Sequence, residues 1–261
     1  MPPGYELTFA DDFDRLDLDN GESAEPDGTW LTYWHGWGVR HLKGNHDRAL
    51  KADGSFRGTG GPTLAEHGIV LHEVTEDGTL KLYGRETPRP IRIQFHNAPY
   101  LGGMISGERS FAQHLGYWEM RLRINRVSRG HHWAVWLLPD DGSWPPEIDL
   151  LEVIGSNPGN GSDAQKFFFN SIGPDHGEIT RIDPPNGIDA WYTLGFLWTP
   201  ADLRWYLDGE EVRHRPNDLG DQRFYFLITP EIAGRWPGQP DAFTKWPMEI
   251  EVDYVRVYQG T

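Results

Sequence analysis

The sequence predicts an all-β sandwich, and three observations carry that reading. Short runs of alternating apolar and polar residues recur from end to end, each bounded by turn formers. The 261 residues include 31 Gly and 20 Pro, which supply turns and interrupt helices. No stretch rich in Ala, Leu, Glu and Lys marks a long helix. A closed barrel is the rival architecture, but regular strand spacing with few helices favours two packed sheets. The chain is long enough for one sizeable core and shows neither an internal repeat nor a low-complexity linker. Residues 1–261 are therefore expected to form a single domain.

The elements follow in order. Residues 6–9, 68–72 and 80–83 read as the first strands. Residues 117–124 alternate, with Trp118, Met120, Leu122 and Ile124 on one face and Glu119, Arg121 and Arg123 on the other. That pattern marks a strand with one buried face. Residues 132–138 are almost wholly apolar and read as a central strand covered on both sides; 147–154 and 166–172 come next. Two further strands, 191–198 and 203–207, lead to Asp208-Gly209, a two-residue hairpin signal before Glu211-Val212. In the closing strand, 248–258, Met248, Ile250 and Val252 keep one phase while Val255 and Val257 take the other. The slip at Asp253-Tyr254 implies a local irregularity. Residues 14–30 and 40–65 are polar and Gly-rich, expected as surface loops bordering a binding face.

Composition excludes several functions. A net charge of -15 is wrong for nucleic acid and unfavourable for a strongly anionic polymer, although Arg85, Arg89 and Arg92 form a local basic group. Cysteine is absent, so there are neither disulfides nor thiolate metal sites. No apolar run is long enough to span a bilayer, and Met1-Pro2-Pro3-Gly4 lacks the regions of a signal peptide. Twelve Trp, ten Tyr and twelve Phe make the chain rich in aromatics, most of which belong in a core. Trp34, Trp37, Trp144, Trp236 and Trp246 instead fall in polar segments punctuated by Gly and Pro, as flat platforms for sugar rings would.

The stretch Glu147-Ile148-Asp149-Leu150-Leu151-Glu152 is chemically the most informative. Glu147 and Asp149 share a strand face, whereas Glu152 should point the other way. A β-bulge at Leu150 or Leu151 would bring all three acids to one face. Gathering like charges costs free energy, so such a cluster signals chemistry. Two carboxylates of distinct environment are the equipment for breaking a glycosidic bond, one attacking the anomeric carbon and one protonating the leaving oxygen. The competing readings are a solvated edge strand and a metal site recruiting His131 or His132. Adjacent histidines on a strand face opposite ways, so at most one could join the acids.

The same stretch resembles the bulged active-site signature of glycoside hydrolase family 16. Glu6 through Asp14 resembles that family's opening strand, Gly116-Tyr117-Trp118-Glu119-Met120-Arg121 its "GYxEAR" strand, and Ala134-Val135-Trp136-Leu137-Leu138-Pro139 its "AFWLLP" strand. Trp205-Tyr206-Leu207-Asp208-Gly209 and the closing strand around Asp253 are similar in the same order, so the resemblance covers nearly the whole chain. It implies a β-jelly-roll sandwich (concanavalin A-like) of two antiparallel sheets with a concave cleft, and retaining cleavage of internal β-linkages. The expected substrates are β-1,3 or mixed β-1,3/1,4 glucans. By the same resemblance Glu147 is the nucleophile, Asp149 its helper and Glu152 the acid/base, with no cofactor needed for catalysis. Trp133, Trp136, Trp144, Trp236 and Asn45 are implied as substrate-binding residues, and Asp253 with Asp12 as neighbours of a structural calcium. The polysaccharide is the expected partner of a secreted or periplasmic monomer, with no nucleic acid and no membrane partner. Departures are Pro146 where laminarinases carry Gly, Asp47 where an early "NxE" is common, and no histidine within Phe167-Phe168-Phe169-Asn170-Ser171. The Trp-Pro-Pro segment and the loop from Trp34 to Asn45 look similar to bacterial exopolysaccharide-cleaving (succinoglycan-type) members. Galactan depolymerase, transglycosylase and a non-catalytic lectin-like sandwich are the alternatives.

Overall fold

The structure, a computed structural model, describes residues 4–42, 46–155, 161–173 and 179–261. Nine strands lie in the first half: β1 (Tyr5–Asp11), β2 (Leu18–Asp19), β3 (Trp30–Leu31), β4 (Ala49–Lys51), β5 (His72–Val74), β6 (Leu80–Glu86), β7 (Tyr100–Gly102), β8 (Ile105–Ser106) and β9 (Gly116–Arg126). The second half adds β10 (His131–Pro139), β11 (Glu147–Ile154), β12 (Phe167–Ile172), β13 (Thr180–Ile182) and β14 (Tyr192–Trp198). It ends with β15 (Asp202–Leu207), β16 (Glu210–Pro216), β17 (Phe224–Ile232) and β18 (Met248–Gly260).

Two sheets stack as a jelly-roll-like sandwich. One has ten strands, in the order β16-β15-β14-β9-β18-β6-β7-β4 with β1 on β18 and β5 on β6. The other has eight, in the order β13-β12-β11-β10-β17-β8-β3-β2. Most pairs are antiparallel, but β2–β3 and β4–β7 run parallel, so both sheets are mixed. Trp118, Met120 and Leu122 of β9 meet Trp133, Val135 and Leu137 of β10 in the central core, together with Phe226 and Ile228 of β17. Burying such a continuous apolar layer is what drives the two sheets together.

The slip expected in the closing strand and the expected hairpin are both present. Against β9, Val252 pairs with Leu122 and Tyr254 with Arg121, leaving Asp253 as the extra residue of β18. Asp208 and Gly209 take positive φ values of 51° and 86°, the backbone a two-residue turn needs between β15 and β16. The strand expected at 68–72 begins only at His72. A turn precedes it, closed by Ile69 N–H donating to the Leu64 carbonyl at 2.9 Å. The loops at 14–30 and 40–65 carry the short strands β2, β3 and β4, and β17 was not anticipated.

Candidate active site

Three neighbouring strands of the eight-stranded sheet build the site. On β10 the two-residue period turns His132, Ala134 and Trp136 to the outer face, while Trp133, Val135 and Leu137 enter the core. On β11 the bulge interrupts that period. Val135 pairs with Leu151 but Trp136 pairs with Asp149, so Leu150 is the extra residue. Leu150 and Leu151, adjacent in sequence, both join the core, which a regular strand does not permit. Glu152 is thereby rotated back to the face of Glu147 and Asp149, and all three line one cleft of about 620 Å³. From β17 and the loop after it come Thr229, Glu231, Arg235 and Trp236. Across the sandwich, the buried Trp205 of β15 donates its indole N–H to the Asp149 carbonyl at 2.9 Å, bridging the second sheet to the bulged strand.

Each acid has a distinct environment. Burial pushes the Glu147 carboxyl up to about 7; the charges of Glu152 and Glu231 add to this, and hydrogen bonds from Trp144 and Asp149 oppose it. The Trp144 indole N–H donates to Glu147 Oε2 at 2.7 Å. Asp149 is raised well above the usual carboxylate range, first by burial and then by the charges of Glu152 and Glu147. Its side chain is hydrogen-bonded to that of Glu147, a contact that further favours the protonated form of Asp149. Glu152 Oε1 lies 3.1 Å from His132 Nε2, and Glu231 Oε2 lies 3.2 Å from His132 Nδ1. Burial disfavours the charged ring, but the two carboxylates outweigh it and bring His132 up to about 10.

A family model described as Glycosyl hydrolases family 16 matches residues 72–256. The chain belongs to this family. It is 30% identical over 259 residues to the endo-1,3-1,4-beta-glycanase EglC of Rhizobium meliloti, covering 96% of this chain and 51% of that protein. The chain thus spans about half the length of that relative. A beta-glucanase of Rhodothermus marinus is 28% identical over 282 residues, covering 98% of this chain and 86% of the other. Among solved structures, SCLam, a non-specific endo-beta-1,3(4)-glucanase from family GH16, superposes with a TM-score of 0.74 at 21% identity. The match covers 100% of this chain and 93% of that one. At that identity it shows the shared fold.

The remaining site residues of this family 16 chain divide clearly. Trp136, Trp144 and Trp236 stand in the cleft, with Trp37 beside them. Trp136 is anchored by its indole N–H, which donates to Thr229 Oγ1 at 3.1 Å. Trp133 does not belong there: it faces the core and is 1% exposed, because it lies an odd number of residues from Trp136. Trp34 is buried beneath Trp37 and Trp136, and Trp246 packs on Tyr100 and against the core, so neither is an open platform. Asn45 lies outside the described residues. Asp253 accepts a hydrogen bond from Arg121, and Asp12 accepts one from Arg256 at 2.6 Å. Both carboxylates are engaged by guanidinium groups, and no group of three or more His, Cys, Asp or Glu side chains that could hold a metal ion occurs among the described residues. Sequence reasoning missed Glu231 and Thr229, and weighed His132 only as a metal ligand. The sequence offers only a partial cue: Glu231 is an acid three residues beyond the apolar run Phe224-Tyr225-Phe226-Leu227-Ile228, and its place opposite His132 comes from strand pairing.

Proposed function

We propose that this chain is a retaining endo-β-glycanase acting on β-1,3 or mixed β-1,3/1,4 glucans. The observation that carries the reading is the bulge at Leu150, which gathers Glu147, Asp149 and Glu152 in one cleft. Glu147 attacks the anomeric carbon while Glu152 protonates the departing oxygen, giving a covalent glycosyl-enzyme. Glu152 then takes a proton from water, which displaces Glu147 and restores the β-configuration. Asp149, whose proton affinity is raised by burial and by both neighbours, shares a hydrogen bond with Glu147 and eases the repulsion of three adjacent carboxylates. Trp144, Trp37 and Trp236 offer ring faces to sugars, while the largely buried Trp136 lines the cleft beneath them.

A second cavity of about 600 Å³ shares Trp37 and Leu42 with the first, which supports binding of a chain that runs on past the reacting bond and so internal cleavage. The activities of the relatives, endo-1,3-1,4-beta-glycanase and beta-glucanase, support the linkage. All catalytic groups come from one chain, in keeping with a monomer and one catalytic domain. A polymeric substrate too large to cross a membrane points to a secreted or periplasmic enzyme.

The test incubates the protein with laminarin, lichenan, agarose and a succinoglycan-type polymer and measures new reducing ends. Glu152→Gln should lower the rate by about 10²–10⁴-fold, Glu147→Gln at least as much, and NMR of fresh product should show the β-anomer. Inverted product would overturn the mechanism; cleavage of agarose alone would overturn the substrate; binding without cleavage would identify a lectin.

A further inference from the structure

Glu231 and His132 have no part in the double displacement just described, yet they are built against its acid/base. In the β10–β17 register His132 lies directly opposite Glu231, and in the β10–β11 register Glu152 sits opposite Ala134, two residues along the same face. The ring consequently has a carboxylate at each nitrogen, 3.1 Å and 3.2 Å away, with the three side chains between 8% and 16% exposed. A neutral imidazole has one N–H and could satisfy just one of these acceptors; an imidazolium satisfies both. The edge of Trp236 packs on the ring at 5.2 Å between centroids, which limits its rotation.

We infer that His132 is a positioning residue, clamped by Glu231 on one side so that on the other its N–H holds Glu152 by Oε1, leaving Oε2 as the oxygen that carries the proton to the leaving group. The inference rests on the reading of Glu152 as acid/base. The charged groups around the ring are consistent with a fixed cation. Glu152 of β11 and Glu231 of β17 contact it, and Glu147 and Asp149 of β11 and Arg235 of the loop after β17 line the same cleft. Behind Glu231, Asp47 is fully enclosed and already neutralised by Lys51 Nζ at 2.6 Å, with its other oxygen accepting from Ile232 N–H at 2.9 Å and Ala49 N–H at 3.0 Å. Lys51 is thus committed to Asp47, and the cation placed between Glu231 and Glu152 is the imidazolium. No ring rotation or second ligand is needed: the register of three strands sets the geometry.

Two measurements test this. In the first, ¹⁵N NMR of the histidine rings follows His132 from pH 5 to 9 in the wild type and in Glu231→Gln. The wild-type ring should stay doubly protonated throughout, and the variant ring should lose a proton within that range. A neutral wild-type ring at pH 7 would overturn the inference. In the second, His132→Gln and Glu231→Gln are assayed on the cleaved glucan. Loss of the clamp should lower kcat by the order of 10²-fold in His132→Gln and less in Glu231→Gln, with the smaller change in KM because the tryptophans of the cleft stay in place. Wild-type kcat in His132→Gln, or a fall expressed wholly in KM, would overturn it. If the wild type cleaves no polymer, the functional reading fails while the NMR titration still decides whether the clamp exists.

Discussion

Replacing Glu147 by Gln should make the folded protein more stable at alkaline pH and leave it unchanged at acidic pH. Burial and neighbouring anions raise this carboxyl from its ordinary 4.5 to about 7. A displacement of that size corresponds to roughly 3 kcal/mol of penalty on the ionised native state. Trp144, which roofs the carboxyl, is 57% exposed, so water reaches the site, and Gln keeps only part of the hydrogen bonding. About 1–2 kcal/mol should survive these discounts. For a chain of this length that raises Tm by about 3–6 °C. Below pH 4.5 the carboxyl is protonated whether the chain is folded or not, and the penalty is absent. As pH rises the unfolded chain ionises first, so native stability falls until the pH passes about 7, where the full difference appears. Thermal melts of both proteins at pH 4 and pH 8 check this. Equal melting temperatures at pH 8, or a variant less stable there, would refute the electrostatic account of the cluster.

Activity of the wild type should fall as pH drops through about 7, because Glu147 must be ionised to attack; a kcat/KM profile on soluble glucan, flat down to pH 5, would contradict that assignment. Trp136→Ala should raise KM about tenfold with a smaller change in kcat, since an aromatic face is worth about 1 kcal/mol or more, and initial rates over a range of oligosaccharide concentrations would reveal it. Trp205→Phe leaves the buried Asp149 carbonyl without its donor, which costs about 1–3 kcal/mol. Both Tm and kcat should decline, and unaltered kcat would mean that the bulge holds its shape without the indole.

Much of this architecture was legible because sheet periodicity writes itself into sequence. The alternation of β9, the hairpin at Asp208-Gly209 and the slip at Asp253 each follow from the two-residue repeat or from a break in it. The bulge was legible for the same reason, since Glu152 is out of phase with Glu147 and Asp149. What failed was pairing and direction. Trp133 was assigned to the cleft although it stands three residues from Trp136, a distance that reverses the face on any regular strand. Residues 68–72 look like a strand by composition, but the turn at Leu64–Ile69 delays pairing until His72. β17 is buried along its whole length and shows no alternation, so nothing in its composition announces which face each residue takes. Glu231 depends on that strand's register against β10, a long-range fact that local pattern does not contain.

Four acids, Glu147, Asp149, Glu152 and Glu231, line a cleft of about 620 Å³, and the fold tolerates them through two devices: the raised proton affinity of Asp149 and the charge on His132. Removing an acid and removing a neutralising group should therefore have opposite effects on stability. His132→Gln leaves Glu152 and Glu231 nearly buried with no cation between them, and should cost about 3 kcal/mol at pH 7, as breaking one side of a buried ion pair does. Adding Glu231→Gln to that variant removes one of the two carboxylates that faced the imidazolium, so the double variant should melt above His132→Gln alone. A simple packing role for the ring makes the contrary forecast, with the two substitutions adding. Melting curves for the wild type, both single variants and the double variant close the cycle, and additivity within about 0.5 kcal/mol would rule out the electrostatic clamp.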